Sequence, residues 1–359
     1  MKKVMVAMSG GVDSSVALLK LMKDYEAIGV TLKLHDGEYD SNKEKTCCSL
    51  SDIEDAKNVA ARFGIMHYVY NFKELFEKKV ISEFIESYEK GYTPNPCINC
   101  NRYIKFEALL QRALELDCDY IATGHYARVE YSEEKGRWLL KKAISEEGEN
   151  DKDQSYVLYN LTQEQLSHIL FPLGEMKKSE ARRIAAENGL VNADKPDSQD
   201  ICFVTDGDYS GFISRTTGKK YPAGDVVDIE GKVVGRHSGL INYTIGQRKG
   251  LGIAFGKPTY IVGKNVSDNT LIVGSNEDLM RDSLYAEDMN WISVESLNEP
   301  IFCKAKTRYR MTEQPCTVYP EENGRVYIRF DEPQRAITPG QSVVLYDGDI
   351  VIGGGIISG

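Results

Sequence analysis

Two cysteines stand three positions apart in the segment TPNPCINCNRYIKF, residues 93–106. Cys97 and Cys100 follow two prolines and precede an amphipathic stretch that predicts a helix from about Arg102 to Leu116. A cysteine thiolate is both a nucleophile and a metal ligand, and a position near a helix start lowers its pKa. The residues alone therefore leave four interpretations open: half of a metal site, a redox pair, a catalytic thiol with an unrelated neighbour, or a pair without a function.

A second segment with chemical potential, VMVAMSGGVDSSVALL, lies near the N-terminus. It predicts a β-strand, then a glycine turn, then a helix from about Ser14. Gly10 and Gly11 allow a tight turn with exposed backbone N–H groups, and the helix N-terminus adds the positive end of its dipole. The hydroxyls of Ser9, Ser14 and Ser15 can donate to phosphate oxygens. The segment lacks the Walker lysine and the Rossmann glycine spacing, so it predicts a different kind of phosphate-binding loop.

The residues SGGVDS resemble the pyrophosphate loop (PP-loop) of the ATP pyrophosphatases. Enzymes of that superfamily cleave ATP to AMP and pyrophosphate and attach the AMP to a carbonyl oxygen. The resemblance implies that this chain uses ATP with Mg²⁺, and that Asp13 helps to hold the magnesium pyrophosphate.

Four further motifs narrow the choice within that superfamily. They read NPCINCN at 95–101, ATGHYAR at 122–128, KDQSY at 152–156 and DSQDICF at 197–203. Together with SGGVDS they resemble the tRNA-specific 2-thiouridylases, and the resemblance runs from the first predicted strand to the last. That family activates the C2 oxygen of a wobble uridine with ATP and replaces it with sulfur. The resemblance implies the same activity on tRNA for this chain.

The same resemblance assigns roles to individual residues. Cys202 is expected to carry a persulfide and Cys100 to attack it or to release hydrosulfide from it, which leaves a transient Cys100–Cys202 disulfide. The residues expected to bind ATP are Ala7, Met8, Ser9, Gly10, Gly11, Val12, Asp13, Ser14, Leu32 and Gly124. Those expected at the target base are Asn95, Pro96 and Cys97. Those expected to contact tRNA are His125, Lys152, Asp153, Gln154, Arg308, Tyr309 and Gln341.

The resemblance also implies partners. The expected substrates are tRNAs of the lysine, glutamate and glutamine type with a wobble uridine. The expected sulfur source is a persulfide donor, such as a cysteine desulfurase or a sulfur relay protein. A cytoplasmic location is expected, because no secretory signal is evident and no apolar run approaches the ~20 residues of a membrane-spanning helix.

Cys97 departs from the family pattern, in which many relatives carry aspartate at this position. A thiol neither accepts hydrogen bonds nor buffers as a carboxylate does. Cys97, Cys100 and Cys202 can instead be three thiolate ligands of a [4Fe–4S] cluster whose fourth iron binds hydrosulfide. Zinc is less favoured, because structural zinc sites take four protein ligands. Two routes for the sulfur stay open, one through a persulfide with Cys97 as a bystander and one through iron.

The elements that must position these residues are predicted from periodicity. Residues 1–204 alternate strand and helix patterns, which predicts an α/β domain with a parallel sheet, similar to the adenine nucleotide alpha hydrolases. Within it, 52–63 and 73–89 are predicted helices, and AIGVTL, MHYVY and DYIAT are predicted strands. Residues 205–281 show short alternating runs that predict a central domain of antiparallel hairpins. Residues 282–359 predict a small C-terminal β-barrel, and both β-rich domains are expected to bind tRNA.

Charge and cysteine usage add weaker indications. The 359-residue chain has a net charge of −10, which disfavours bulk attraction to nucleic acid but permits a local basic face. One predicted strand is expected to present four basic residues on a single face, Lys304, Lys306, Arg308 and Arg310. A second basic cluster is expected to face solvent, Lys177, Lys178, Arg182 and Arg183. Five other cysteines show no partner pattern and are expected to be ordinary buried or loop thiols, Cys47, Cys48, Cys118, Cys303 and Cys316.

Two rival functions remain at this stage. Another adenylating enzyme, such as a tRNA 2-thiocytidine synthetase or a ligase, is disfavoured by the pairing of Cys100 with Cys202 and by the long β-rich half. A non-catalytic tRNA-binding protein is disfavoured by the intact loop from Ser9 to Ser14. The sequence therefore predicts a tRNA uridine 2-sulfurtransferase.

Overall fold

The computed structural model describes residues 1–35, 50–144, 152–193, 195, 201–204, 206–253 and 256–358. Part of one motif lies outside the described residues, namely Asp197, Ser198, Gln199 and Asp200, as do Cys47 and Cys48. The described chain forms one sheet of parallel strands, a second sheet of four strands and a barrel. Within these ranges, no helix has both the length and the hydrophobicity that are needed to cross a bilayer.

The N-terminal domain is built on a five-stranded parallel sheet of order β3-β2-β1-β4-β7. Its strands and an attached hairpin, β5 and β6, are β1 Lys3–Ala7, β2 Glu26–Lys33, β3 His67–Asn71, β4 Tyr120–Ala122, β5 Ala127–Ser132, β6 Arg137–Lys142 and β7 Ile169–Leu170. In β1, Val4, Met5 and Val6 are all fully buried, as expected of a central strand that is covered on both faces. The predicted parallel sheet is confirmed.

Helices cover both faces of this sheet. They are α1 Val12–Leu21, α2 Leu50–Arg62, α3 Lys73–Phe76, α4 Ser82–Glu89, α5 Pro96–Asn99, α6 Leu109–Glu115, α7 Gln163–Ser167 and α8 Lys178–Glu187. Val4 and Val6 pack in one hydrophobic cluster with α1, α2 and α8, whereas Met5 packs in the other with α3, α4 and α6. Alternate side chains of a strand point to opposite faces, which explains the division. A π-helical segment, Glu77–Ile81, joins α3 to α4, so the predicted helix over 73–89 is confirmed.

The helix that carries the cysteine pair begins earlier than the sequence predicts. Pro96 opens α5, and the side chain of Asn95 accepts a hydrogen bond of 3.1 Å from the backbone N–H of Cys97. The helix continues through a π-helical segment, Cys100–Ala108, into α6. The predicted start near Arg102 is wrong, because Asn-Pro resembles a turn but here serves as a helix cap followed by proline in the first turn. Cys100 therefore lies inside the helix rather than before it.

The central domain is a four-stranded sheet of order β10-β11-β8-β9, preceded by α9 Tyr209–Thr217. Its strands are β8 Gly224–Val227, β9 Val233–His237, β10 Tyr260–Asn265 and β11 Thr270–Gly274. Both predicted hairpins are antiparallel, but β8 and β11 pair in parallel where the hairpins meet. Local turn patterns predict a hairpin, whereas the direction in which two hairpins join depends on the chain between them.

The C-terminal strands close into a six-stranded barrel, because β12 pairs with both β15 and β17. They are β12 Met280–Trp291, β13 Ile301–Lys306, β14 Gln314–Pro320, β15 Val326–Arg335, β16 Ser342–Asp347 and β17 Ile350–Ser358. The hairpin β5–β6 of the N-terminal domain joins this sheet, since Lys141 on β6 lies opposite Ile350 on β17. The predicted barrel is confirmed, and its shared sheet with the first domain was not predicted.

One expectation for β13 is wrong. The strand ends at Lys306, which is 7% exposed, whereas Lys304 is exposed, so the four basic residues do not share one face. The error arises because the end of the strand and the burial of Lys306 are set by contacts with other elements. Cys303 and Cys316 are buried free thiols, as expected, and lie opposite each other on β13 and β14 with their sulfur atoms 3.8 Å apart.

Candidate active site

The SGGVDS loop connects the carboxyl end of β1 to the first turn of α1. The backbone N–H of Ser9 donates to Ser14 Oγ at 3.2 Å, and Ser14 Oγ donates to the carbonyl of Gly11 at 3.0 Å. Gly10 has a φ of +73°, and a Cβ there would collide with the backbone of Asp52. Glycine is therefore required for both the turn and the close approach. The loop is held in a fixed shape at the start of a ten-residue helix.

Asp13 is held by two partners from distant parts of the domain. Lys178 Nζ lies 2.7 Å from each carboxylate oxygen, and Tyr126 Oη donates to Oδ1 at 2.8 Å. Lys178 is the first residue of α8, and its side chain is 14% exposed. The sequence placed it in a solvent-facing basic cluster, so this partner was missed. The only signal for it was the position of a lysine cluster at a helix start.

Gly124 contacts the loop directly. A Cβ at this position would lie 2.7 Å from the carbonyl carbon of Asp13 and 2.8 Å from the nitrogen of Ser14. The sequence predicted that a glycine here lets the backbone approach the nucleotide. In the structure, the missing side chain lets the PP-loop pack against Gly124. Asn192 supports the other side, since its Nδ2 donates to the carbonyl of Gly10 at 2.9 Å. Sequence reasoning did not find Asn192, because its partner is remote in the chain.

The predicted ATP-binding residues come together at one edge of the sheet. The loop follows β1, Leu32 lies near the end of the adjacent β2, and Gly124 follows β4 on the other side. Ligands of open parallel sheets bind beyond the carboxyl ends of the strands. Backbone amides at a helix start, serine hydroxyls and the Asp13 carboxylate fit a magnesium polyphosphate. Lys195 flanks this edge and pairs with Asp55 at 2.8 Å.

The two predicted catalytic cysteines lie around one hydrophobic cluster. Cys100 is 9% exposed and belongs to that cluster, and Cys202 is half-buried and packs against it. Phe203, the neighbour of Cys202, packs edge-on against Phe84 with ring centroids 5.3 Å apart. Cys97 lies exposed on the first turn of the helix. Within the described residues, no three His, Cys, Asp or Glu side chains form a group that could hold a metal ion.

A cleft of about 500 Å³ opens between the two cysteine segments and the central domain. Pro94, shortly before Cys97, and Ile201, directly before Cys202, contribute to its wall, together with Thr244 of the central domain. Ligand pockets in proteins typically have volumes of roughly 300–1,000 Å³. The cleft is therefore large enough for a nucleotide or a peptide segment.

The first three residues of the KDQSY segment differ in their exposure to solvent. Lys152 is exposed. Asp153 is 6% exposed and accepts hydrogen bonds from the Ser155 hydroxyl at 2.7 Å and the Ala143 backbone at 3.1 Å. Burial raises the pKa of Asp153, although these hydrogen bonds oppose the shift. Gln154 Oε1 accepts from the backbone N–H of Tyr126 at 3.0 Å, which places both inner side chains in the scaffold.

His125 lies between the two halves of the site, namely the nucleotide half around the PP-loop and the sulfur half around the helix of Cys97 and Cys100. It follows Gly124, which touches the PP-loop, and its ring packs against Phe106, which belongs to the cysteine helix, at 5.8 Å. Its Nδ1 lies 2.7 Å from the Thr123 hydroxyl. Burial, followed by the charge of Lys105, lowers the pKa of His125 well below its usual range. The imidazole is therefore neutral at pH 7.

The three predicted C-terminal contacts differ in their surroundings. Tyr309 is 37% exposed. Arg308 Nη2 donates to the carbonyl of Ala336 at 2.9 Å and to the Thr338 hydroxyl at 2.7 Å. Gln341 Nε2 donates to the carbonyl of Thr93, the first residue of the cysteine segment, at 2.6 Å. Arg308 and Gln341 thus connect parts of the protein, whereas Tyr309 presents its ring at the surface.

Comparison with known proteins covers the whole chain. Three family models match in succession, the tRNA methyl transferase HUP domain over 2–206, the tRNA methyl transferase PRC-barrel domain over 210–275 and the aminomethyltransferase beta-barrel domain over 281–357. The tRNA-specific 2-thiouridylase MnmA of Acetivibrio thermocellus is 53% identical, with 99% of each chain covered. That of Clostridioides difficile is 51% identical, with 99% of this chain and 98% of the relative covered.

The chain belongs to the tRNA-specific 2-thiouridylase family. A further relative, MnmA 2 of Caldanaerobacter subterraneus subsp. tengcongensis, is 52% identical over 99% of this chain and 97% of its own. Family membership confirms the resemblance inferred from the five motifs. As a 2-thiouridylase family member with a PP-loop, the chain is expected to use ATP with Mg²⁺, and the site at the sheet edge fits both.

Proposed function

We propose that the protein catalyses ATP-dependent 2-thiolation of the wobble uridine of tRNA, giving 2-thiouridine, AMP and pyrophosphate. One observation carries the proposal. The PP-loop with its engaged Asp13 and the helix with Cys100 belong to one domain, and His125 with its neighbour Gly124 spans the distance between them. Activation by ATP and attack by sulfur require such a pair of adjacent sites.

The nucleotide half serves the adenylation step. The uridine O2 attacks the α-phosphorus of ATP, and pyrophosphate leaves. The loop N–H groups and the Ser9 hydroxyl would bind the phosphate oxygens, while the Ser14 hydroxyl shapes the loop through the Gly11 carbonyl. Asp13 would hold a magnesium ion, which would neutralise charge on the leaving pyrophosphate. The C2 oxygen then departs as part of AMP, which is a far better leaving group than oxide.

The sulfur half serves the second step. Cys202 carries a terminal sulfur as a persulfide, and the thiolate of Cys100 attacks the Cys202 sulfur atom. The S–S bond of the persulfide breaks, hydrosulfide leaves and adds at C2 of the adenylated uridine, and AMP departs. A Cys100–Cys202 disulfide remains, and a dithiol must reduce it with two electrons before the next turnover.

The persulfide route is favoured over the [4Fe–4S] route. Cys97 lies exposed on the first turn of the helix, whereas Cys100 is buried further along it, so the two thiols have different surroundings. Anaerobic purification followed by iron and sulfide analysis tests this choice. We expect iron well below stoichiometric amounts in protein that thiolates tRNA from a persulfide donor, whereas stoichiometric iron bound through Cys97, Cys100 and Cys202 would establish the cluster route.

The tRNA is proposed to contact Lys152 and Tyr309, the exposed members of the predicted set. Lys152 can pair with a phosphate, and Tyr309 can stack on a base or ribose. His125 is partly buried, so its neutral imidazole is proposed to contact only a nucleotide that enters the site. Asp153, Gln154 and Arg308 hold the surfaces from which these contacts are made. At the target base, Asn95 and Pro96 form the helix start and Cys97 faces outward. The proposed substrates are tRNAs of the lysine, glutamate and glutamine type, with sulfur from a cysteine desulfurase or relay protein.

Replacing Cys202 tests the proposed function. We expect Cys202→Ser to abolish formation of 2-thiouridine while tRNA binding and ATP-dependent AMP release persist. Mass spectrometry of nucleosides from the treated tRNA measures the product and distinguishes 2-thiouridine from 2-thiocytidine. Loss of tRNA binding in the variant would instead make Cys202 structural. Absence of AMP formation with unmodified tRNA in the unaltered protein would support a non-catalytic binding protein.

A further inference from the structure

Thr93, four residues before Cys97, is bonded by both β domains. Its backbone N–H donates to the carbonyl of Pro339 at 3.0 Å, and its carbonyl accepts from Gln341 Nε2 at 2.6 Å. Its hydroxyl donates to the hydroxyl of Thr244 in the central domain at 3.5 Å. All three polar atoms of Thr93 therefore have partners outside their own domain.

The barrel side of this contact is rigid. Gly340 N–H donates to the carbonyl of Ile357 on β17 at 2.9 Å, and Ile357 N–H donates to the carbonyl of Gln341 at 2.8 Å. Gly340 has a φ of +86°, and a Cβ there would lie 2.7 Å from Tyr92 Cβ and 3.1 Å from the nitrogen of Thr93. The barrel loop is therefore packed tightly against the backbone that precedes the cysteine helix.

The chain from Thr93 to Cys97 can transmit a displacement of Thr93 to the start of the cysteine helix. Thr93 precedes Pro94, and Asn95 precedes Pro96. Proline fixes its own φ and restricts the residue before it, so this segment has few soft torsions. Asn95 then caps the helix through the N–H of Cys97. A displacement of Thr93 therefore moves the helix start rather than being absorbed along the way.

We propose that Gln341, supported by Gly340, is a positioning residue for the helix that carries Cys97 and the catalytic thiol of Cys100. The family resemblance places Gln341 against tRNA, and in the structure its amide also donates to the Thr93 carbonyl. The barrel therefore influences the sulfur chemistry as well as substrate binding. RNA that binds Gln341 would also affect the position of the helix that carries Cys100. The catalytic consequence rests on the proposed function, whereas the effect on the thiols does not.

Thiol reactivity in the absence of tRNA and ATP tests the proposal. The variants are Gly340→Ala and Gln341→Ala, and the matched control is Gly348→Ala. Gly348 also has a positive φ, +58°, but a Cβ there would meet nothing within 4 Å. Rates of alkylation by N-ethylmaleimide are measured at Cys100 and Cys97 by fragment mass spectrometry. Because Cys100 is nearly buried, loosening the helix start should raise its rate about threefold to tenfold in both variants, as expected for the loss of one hydrogen bond.

Kinetics separate positioning from RNA contact. We expect kcat for thiolation to fall by about the same factor in both variants at saturating tRNA, with the KM for ATP unchanged. Unchanged Cys100 alkylation together with a raised KM for tRNA would overturn the proposal and leave Gln341 as an RNA contact. An equal rise in the Gly348→Ala control would also overturn it, since the barrel would then act non-specifically. If Gly340→Ala does not fold, Gln341→Ala decides alone. Altered alkylation in a protein that forms no 2-thiouridine would refute the proposed function but not the positioning.

Discussion

The two halves of the proposed site are built in different ways. The nucleotide half is a continuous turn between β1 and α1, and its supports, such as Lys178 and Asn192, all belong to the N-terminal domain. The sulfur half begins at Thr93, whose polar atoms are bonded by the central domain and the barrel. The proposed ATP site is thus supported within one domain, whereas the proposed sulfur site is held by contacts from three. Substitutions in the first domain can therefore show whether the nucleotide half and the sulfur half respond independently.

The largest expected effect comes from the nucleotide half alone. Asp13→Asn removes the charge that is proposed to hold magnesium, so ATP-dependent AMP formation should fall about 100-fold or more, equivalent to about 2.7 kcal/mol in the barrier. The halves are separately built, so alkylation of Cys100 should remain unchanged. Rates of AMP release and of alkylation are measured on the same preparation. A change in Cys100 reactivity would mean that the halves are not independent.

A smaller effect is expected at Lys178. Its ammonium group fixes the position of the Asp13 carboxylate and adds a positive charge beside the PP-loop. Lys178→Gln should therefore weaken binding of ATP and pyrophosphate about tenfold and leave AMP binding nearly unchanged. Arg183→Gln is the matched control, because Arg183 lies on the same helix with its side chain 61% exposed. Isothermal titration calorimetry measures all three ligands. Equal losses for ATP and AMP would show a general distortion of the site rather than a role at the outer phosphates.

The smallest expected effect lies at His125, between the halves. Its pKa is lowered by burial, so below the unfolded value of about 6.5 the unfolded chain binds more protons than the native protein. Stability should therefore fall as the pH drops below about 6.5, with a slope of up to about 1.4 kcal/mol per pH unit from this residue.

His125→Asn keeps a polar partner for Thr123 but removes the titration. Urea unfolding at pH 7 and pH 5.5 should show a smaller loss of stability in the variant than in the unaltered protein. His67 retains a lowered pKa through burial, so part of the slope should remain. An identical pH dependence in both proteins would contradict the burial of His125 between the halves.

The same contrast explains what could be predicted from the sequence. The strand, glycine turn and helix around Ser9–Ser14 were predicted because their determinants are consecutive residues. The parallel sheet and the helix over 73–89 follow from periodicity in the same way. The family and its activity were predicted from the resemblance of five motifs to the tRNA-specific 2-thiouridylases.

What the sequence did not predict depends on remote contacts. Lys178 on Asp13, Gln341 on Thr93 and the joining of β6 to β17 connect residues far apart in the chain. The helix start at Pro96 was missed because Asn-Pro has two structural uses, turn and helix cap. The roles of Cys97, Cys100 and Cys202 stay predictions, since their arrangement in the reaction depends on substrate and sulfur donor.

A single-turnover reaction without reductant tests the central claim that Cys100 and Cys202 jointly deliver sulfur. The protein is first loaded with persulfide, then mixed with ATP and unmodified tRNA. Mass spectrometry measures 2-thiouridine in the tRNA and the Cys100–Cys202 disulfide in the protein. The account predicts that both form in equal amounts and stop together after one turnover per enzyme. Formation of 2-thiouridine without the disulfide, or continued turnover without reductant, would contradict it.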